Sequence, residues 1–97
     1  YNIYPKEIEL VLDEQPDVLE SAVIGVKDAD FGESVVGVLV PRPGAEIDRD
    51  AVMAALQGSL ARFKQPRALI FVRELPRNTM GKVQKNLLRK EYENYAQ

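Results

Sequence analysis

Apolar residues change their spacing several times along the chain, and each change marks an element. Pro5 suits the first turn of a helix, where its missing N–H costs no hydrogen bond, and Ile8, Val11 and Leu12 then share one helical face. Gln15-Pro16 stops that helix. From about Leu19 to Val26 the residues Ala22, Val23, Ile24 and Val26 predict a strand. Val35 to Val40 predicts a second strand, apolar on both faces and therefore central. The link between them, from Lys27 to Ser34, is turn chemistry and predicts an antiparallel pair.

Pro41-Arg42-Pro43-Gly44 closes the second strand as a rigid loop, because two prolines cannot donate ladder hydrogen bonds. Asp48 is a candidate N-cap, with Ile47 before it as half of a hydrophobic staple. Val52, Leu56 and Leu60 then recur every four residues, flanked by Met53 and Ala55. Phe63-Lys64-Gln65-Pro66 breaks this helix, Ala68 to Val72 reads as a buried strand, and Leu75-Pro76 ends it. Pro76 to Val83 has no periodicity and is expected to be a loop. Leu88, Tyr92 and Tyr95 outline a last amphipathic helix, with Arg89 and Glu93 spaced as an i, i+4 pair. The order α-β-β-α-β-α predicts an α+β domain, a three-stranded sheet covered by helices. No internal repeat or low-complexity tract interrupts it.

Composition narrows the chemistry. With 97 residues, 45% hydrophobic and 29% charged, the chain is expected to form one domain with one modest core. It has no cysteine and no histidine. Disulfides, thiolate metal sites and Ser-His or Cys-His triads therefore cannot be built from it. Chemistry must run on Lys, Arg, carboxylates, hydroxyls or backbone. No apolar run approaches the roughly 20 residues that span a bilayer, and the first residues lack the regions of a signal peptide. A cytoplasmic location, away from membranes, is expected. The chain begins without methionine inside structured-looking sequence, which suggests a domain cut from a longer protein.

The net charge of −2 hides a strong asymmetry. Tyr1 to Ala61 carries 12 acidic and 4 basic residues, a net −8, whereas Arg62 to Glu91 carries 9 basic and 2 acidic, a net +7. Such clustering often accompanies a surface that meets an anion, although a charge cluster alone is more often a solvated face. The segment's loop holds Gly81-Lys82 between a predicted strand and a predicted helix. Gly81 lets the backbone take positive φ and approach a phosphate, and Lys82 adds a compact charge on a flexible stem. A nucleotide triphosphatase loop is excluded, since Pro76 stands where its first glycine belongs and Val83 where its magnesium-binding hydroxyl belongs. On spacing alone, a turn glycine and an exposed lysine are the favoured reading. Arg77, Lys85, Arg89 and Lys90 surround Lys82 and could attract an anionic ligand, although basic residues late in a helix also suit its dipole. Asp28, Asp30 and Glu33 lack calcium-loop spacing and read as solvated turn residues. Tyr1, Asn2 and Tyr4 read as packing or capping residues before a helix. No aromatic pair on adjacent strands offers a base-stacking platform, so nucleic acid is not an expected partner.

Two segments in register resemble a known family. Tyr1-Asn2-Ile3-Tyr4-Pro5-Lys6-Glu7-Ile8-Glu9 is similar to the stretch after the hinge of adenylate-forming enzymes, and Glu74 to Lys85 resembles their final motif, Leu-Pro, a short variable run, then Gly-Lys-apolar. Ala22-Val23-Ile24-Gly25-Val26, Gly32-Glu33 and Phe63-Lys64-Gln65-Pro66 resemble further landmarks in the right order. Within that superfamily the chain looks most like the C-terminal mobile domain of acyl-CoA synthetases, and Arg77-Asn78-Thr79-Met80 is similar to the malonyl-CoA synthetases.

The resemblance implies a ligase in which a carboxylate attacks the α-phosphate of ATP to give an acyl-adenylate, after which the domain swings and the CoA thiol displaces AMP. It places Lys82 as the adenylation lysine and Gly81 as the residue that positions its loop. Tyr1 and Asn2 fall in the segment lining the pantetheine tunnel, and Arg77 and Lys85 become candidates for the CoA phosphates. ATP and CoA are implied as substrates, with magnesium accompanying ATP but not bound by this domain. The hinge and the N-terminal domain that binds ATP and the acid would precede residue 1, so the chain alone is expected to be inactive. The family also implies acetylation of Lys82 and hence a protein acetyltransferase as partner. A carrier-protein thiol in place of CoA shares the same lysine, and a small basic interaction module is the reading from a different class.

Overall fold

The computed structural model describes residues 3–30 and 32–95. Its elements are α1 (Pro5–Asp13), β1 (Val18–Asp28), β2 (Gly32–Pro41), α2 (Arg49–Ser59), a 3-10 turn at Arg62–Lys64, β3 (Ala68–Phe71) and α3 (Lys85–Glu91). The order is the expected α-β-β-α-β-α. The strands form one sheet in the order β1-β2-β3. β1 and β2 are antiparallel, with Val23 opposite Gly37 and Ile24 opposite Val36. β3 joins β2 in parallel, Leu69 lying beside Gly37, as the α2 crossover between them requires.

β2 is central, and its unbroken apolar run is explained by two cores. Val35 and Leu39 face the side covered by α1 and α2, where they meet Ile8, Leu12, Val23, Val52, Leu56 and Leu69. Val36, Val38 and Val40 face the opposite side with Ala22, Ile24, Val26, Leu75 and Leu88. Alternation with a period of two sends neighbouring valines to different helical layers. Gly37 lies where the first layer comes closest, since a Cβ there would stand 3.1 Å from Leu69 and 3.2 Å from Leu12.

The predicted cap of α2 is present: the Asp48 carboxylate accepts the N–H of Ala51 at 3.1 Å, and buried Ile47 and Val52 meet in the core. Gln65 closes the other end of this helix by donating to the carbonyls of Leu56 and Leu60 at 2.9 and 3.0 Å. Arg49 ties α2 to β3, donating to the Leu69 carbonyl with its guanidinium 4.3 Å from the centre of the Phe71 ring.

Three sequence expectations are corrected. The β1–β2 turn is tighter than Lys27–Ser34, because Lys27 and Glu33 pair across the ladder and extend it to Asp28 and Gly32. Asp28 is buried rather than solvated: it accepts the N–H of Asp30 at 2.8 Å and the hydroxyl of Ser34, and lies 3.6 Å from Arg67. The last helix ends at Glu91, with Tyr92 as its C-cap and Tyr95 exposed. Only Leu88 of α3 is buried, too little apolar surface to hold further turns against the sheet. Glu93 therefore lies outside the helix and makes no ion pair with Arg89 among the described residues.

Candidate functional site

The loop that carries Lys82 is a tight, internally bonded hairpin. Arg77 and Val83 form an isolated antiparallel bridge at its base, and the N–H of Gln84 donates to the Pro76 carbonyl at 2.8 Å. Above the bridge the N–H of Asn78 donates to the Lys82 carbonyl at 2.9 Å, and the N–H of Gly81 to the Asn78 carbonyl at 3.0 Å. The Asn78 side-chain oxygen accepts two more N–H groups, from Met80 at 2.9 Å and Lys82 at 3.0 Å. This is the local turn chemistry that Asn favours. Gly81 completes the reversal with φ +85°, where any side chain would cost about 1–2 kcal/mol.

Two apolar anchors set the hairpin against the sheet. Buried Leu75 precedes it and half-buried Val83 follows it, both packed on the β-face formed by Val36, Val38 and Val40. The loop tip therefore stands free, with Met80 91% exposed. Lys82 is exposed too, and its ammonium makes no ion pair or hydrogen bond among the described residues. A mobile side chain thus starts from a fixed backbone.

Part of the charge asymmetry resolves into internal pairing, with four of the nine bases of the second segment engaged among the described residues. Glu7 meets Lys64 at 2.9 Å, Glu9 meets Lys85 at 2.7 Å, Asp28 meets Arg67 at 3.6 Å, and Glu20 pairs with Arg77. Each pair joins an acid of the first 61 residues to a base of the second segment. Of the cations proposed to surround Lys82, Arg77 and Lys85 are thus engaged, Arg77 also donating to the Gly81 carbonyl at 2.7 Å. Arg89 and Lys90 lie at the far end of α3, where with Lys27 and Glu33 they border a shallow pocket of about 410 Å³. Gly81 and Lys82 are adjacent as expected, while Tyr1 and Asn2 lie outside the described residues. Among the described residues no group of three or more carboxylates is gathered as a metal site. No helix among them is long and apolar enough to cross a membrane.

Sequence reasoning missed Asn78, Glu20 and Glu9. Asn78 was findable, since Asn two residues before an N–H that must turn inward is an Asx-turn signature. Glu20 stands 57 positions from Arg77, and nothing local announces the pair.

The α+β domain thus presents Lys82 on a glycine hairpin, its ammonium without a partner among the described residues. The chain belongs to the AMP-binding enzyme C-terminal domain family, whose profile covers residues 7–82. It is 48% identical over 88 residues to an indoleacetate–CoA ligase of Aromatoleum aromaticum, covering 91% of this chain and 17% of that protein. It is 46% identical over 83 residues to a 4-chlorobenzoate–CoA ligase of a Pseudomonas species, covering 84% of this chain and 16% of the ligase. The crystal structure of ATP-bound MatB from Rhodopseudomonas palustris superposes with a TM-score of 0.96 at 56% identity, over 100% of this chain and 19% of that one. The chain spans less than a fifth of each of these proteins.

Proposed function

We propose that this chain is the mobile C-terminal domain of an ATP-dependent acid–CoA ligase and that Lys82 is its adenylation lysine. The observation that carries the reading is the Lys82 ammonium, unpartnered among the described residues, on a backbone held by Asn78 and Gly81. In adenylation, a carboxylate oxygen bonds to the α-phosphorus of ATP and pyrophosphate leaves. Two anions must approach, and charge builds on the α-phosphate oxygens. A preorganised ammonium there lowers the barrier. A carboxylate nucleophile needs no base, which suits a chain without histidine. Afterwards the CoA sulfur attacks the acyl carbon and AMP leaves.

ATP and the acid bind, in this reading, to an N-terminal domain in cis, which also receives the magnesium that accompanies ATP. The ligase names of the relatives support CoA over a carrier protein as acceptor. Resemblance of Arg77-Asn78-Thr79-Met80 to malonyl-CoA synthetases supports malonate or a related small acid. Internal pairing of the basic segment speaks against a free-standing basic interaction module. The chain alone releases no AMP from ATP, acid and CoA. Exposure of Lys82 also supports its acetylation by a protein acetyltransferase, which would remove the charge that adenylation uses.

Lys82→Ala in the full-length enzyme tests the assignment. Adenylation should be lost while preformed acyl-adenylate still reacts with CoA; equal loss of both half-reactions would contradict it. For the modification, peptide mass spectrometry after incubation with acetyl-CoA and an acetyltransferase should find acetyl on Lys82, and acetyl only on other lysines would reject it.

A further inference from the structure

A lysine's four-carbon stem is flexible, so a protein can place the ammonium only by fixing the backbone from which the stem rises. The bonds of Asn78 and Gly81 give the hairpin its shape, but every one of them joins loop to loop. They do not tie the hairpin to the domain. Leu75 and Val83 seat its base on the sheet, and Arg77 adds a polar tie nearer the tip. Its Nη1 donates to the Gly81 carbonyl at 2.7 Å, one peptide away from Lys82, and its Nη2 pairs with Glu20 on β1. One planar guanidinium therefore bridges the residue before Lys82 to an 11-residue strand of the sheet. The fork geometry of arginine makes both bonds at once, which a lysine ammonium on the same stem cannot reproduce with the same rigidity.

We propose that Arg77 is a positioning residue for Lys82, anchored by Glu20, and not a ligand of the CoA phosphates. The inference rests on the reading of Lys82 as the adenylation lysine and adds to it the device that aims it. Glu20 neutralises the Arg77 cation, and the Gly81 carbonyl takes a further donor, so the group is poorly disposed to capture an anion. Positioning acts on one half-reaction only, because Lys82 is needed for adenylation and the thioester step does not use it.

The test uses the full-length enzyme and measures two half-reactions separately: single-turnover pyrophosphate release for adenylation, and AMP release from preformed acyl-adenylate at varied CoA. Arg77→Ala should slow adenylation by about 10- to 100-fold, the usual consequence of misplacing a reacting group by about an ångström. It should leave the KM for CoA unchanged. Glu20→Gln should slow the same step by a smaller factor, and Arg77→Lys, which keeps the charge, should fall between parent and Arg77→Ala. In a Lys82→Ala background Arg77→Ala should lower the residual adenylation no further and should leave the reaction of preformed acyl-adenylate with CoA unchanged, whereas a general folding defect would slow that second half-reaction too. Adenylation lost in Lys82→Ala but intact in Arg77→Ala overturns the positioning role and leaves the site standing. A raised KM for CoA with adenylation intact overturns it in favour of a phosphate ligand. Adenylation intact in Lys82→Ala overturns the site, and the positioning role with it.

Discussion

The side-chain oxygen of Asn78 accepts the backbone N–H of Lys82 at 3.0 Å, so the residue that opens the hairpin also holds the backbone of the lysine it presents. The same oxygen takes the N–H of Met80. Asn78→Ala removes both acceptors at once. Amide exchange at Met80 and Lys82 should quicken about fivefold, the equivalent of about 1 kcal/mol per lost bond, while Asn78→Asp should retain protection. Unchanged exchange in Asn78→Ala would show that the bridge below suffices to hold the loop.

Gly37 is required by packing rather than by its backbone angles. A Cβ there would press on Leu69 at 3.1 Å and on Leu12 at 3.2 Å, both buried. Gly37→Ala should destabilise the domain by about 1–3 kcal/mol, as overpacking does. Pairing it with Leu12→Val, which withdraws the crowding methyl, should cost less than the two changes summed. Strict additivity in urea denaturation would refute the clash.

Glu9 is buried and serves two partners, the N–H of Val23 on β1 at 2.8 Å and the ammonium of Lys85 at 2.7 Å. It thereby fastens α1, the edge strand and the start of α3 together. Glu9→Ala should lower stability by about 1–3 kcal/mol, and Glu9→Gln, which still accepts from Val23, by roughly half as much. Equal losses would mean that the ion pair alone matters.

Tyr92 caps α3, and its phenol is pushed up from 10.0 to about 12, first by a hydrogen bond with Glu91, then by burial and by the charge of Glu91. The neutral phenol is the form the fold favours. Its contribution is complete below the unfolded value of 10.0 and is lost as pH rises through about 12. The stability advantage of the parent over Tyr92→Phe should therefore be constant up to about pH 10 and shrink above it. An advantage unchanged through that window, followed by urea midpoints, would reject the assignment.

The element order, the central place of β2 and the cap at Asp48 were legible because each is a local matter. A short run of mostly β-branched apolar residues between turn signals reads as a strand covered on both sides, and an aspartate before an amphipathic run reads as a cap. The end of α3 was not legible. Leu88, Tyr92 and Tyr95 keep helical spacing, yet Tyr95 is exposed, so no burial rewards continuing the helix to it. The site divides in the same way. Gly81 and Lys82 stood out as a glycine and a cation between two elements, and the left-handed turn at Gly81 agrees with that reading.

What the sequence by itself determined is the succession of elements, the two-sided core and the loop that bears a lysine, along with the family whose motifs it carries. What only the tertiary structure decided is which acid meets which base. The first half of the chain is acidic and the second basic, and that much is arithmetic. That Glu20 takes Arg77, Glu9 takes Lys85 and Glu7 takes Lys64 depends on how the fold sets β1 beside the hairpin and α1 beside the start of α3 and the 3-10 turn. Periodicity is a property of neighbouring residues, whereas an ion pair between positions 57 apart exists only once the sheet has brought them together. Those pairings engage Arg77 and Lys85 beside the hairpin, while Lys82 has no partner among the described residues.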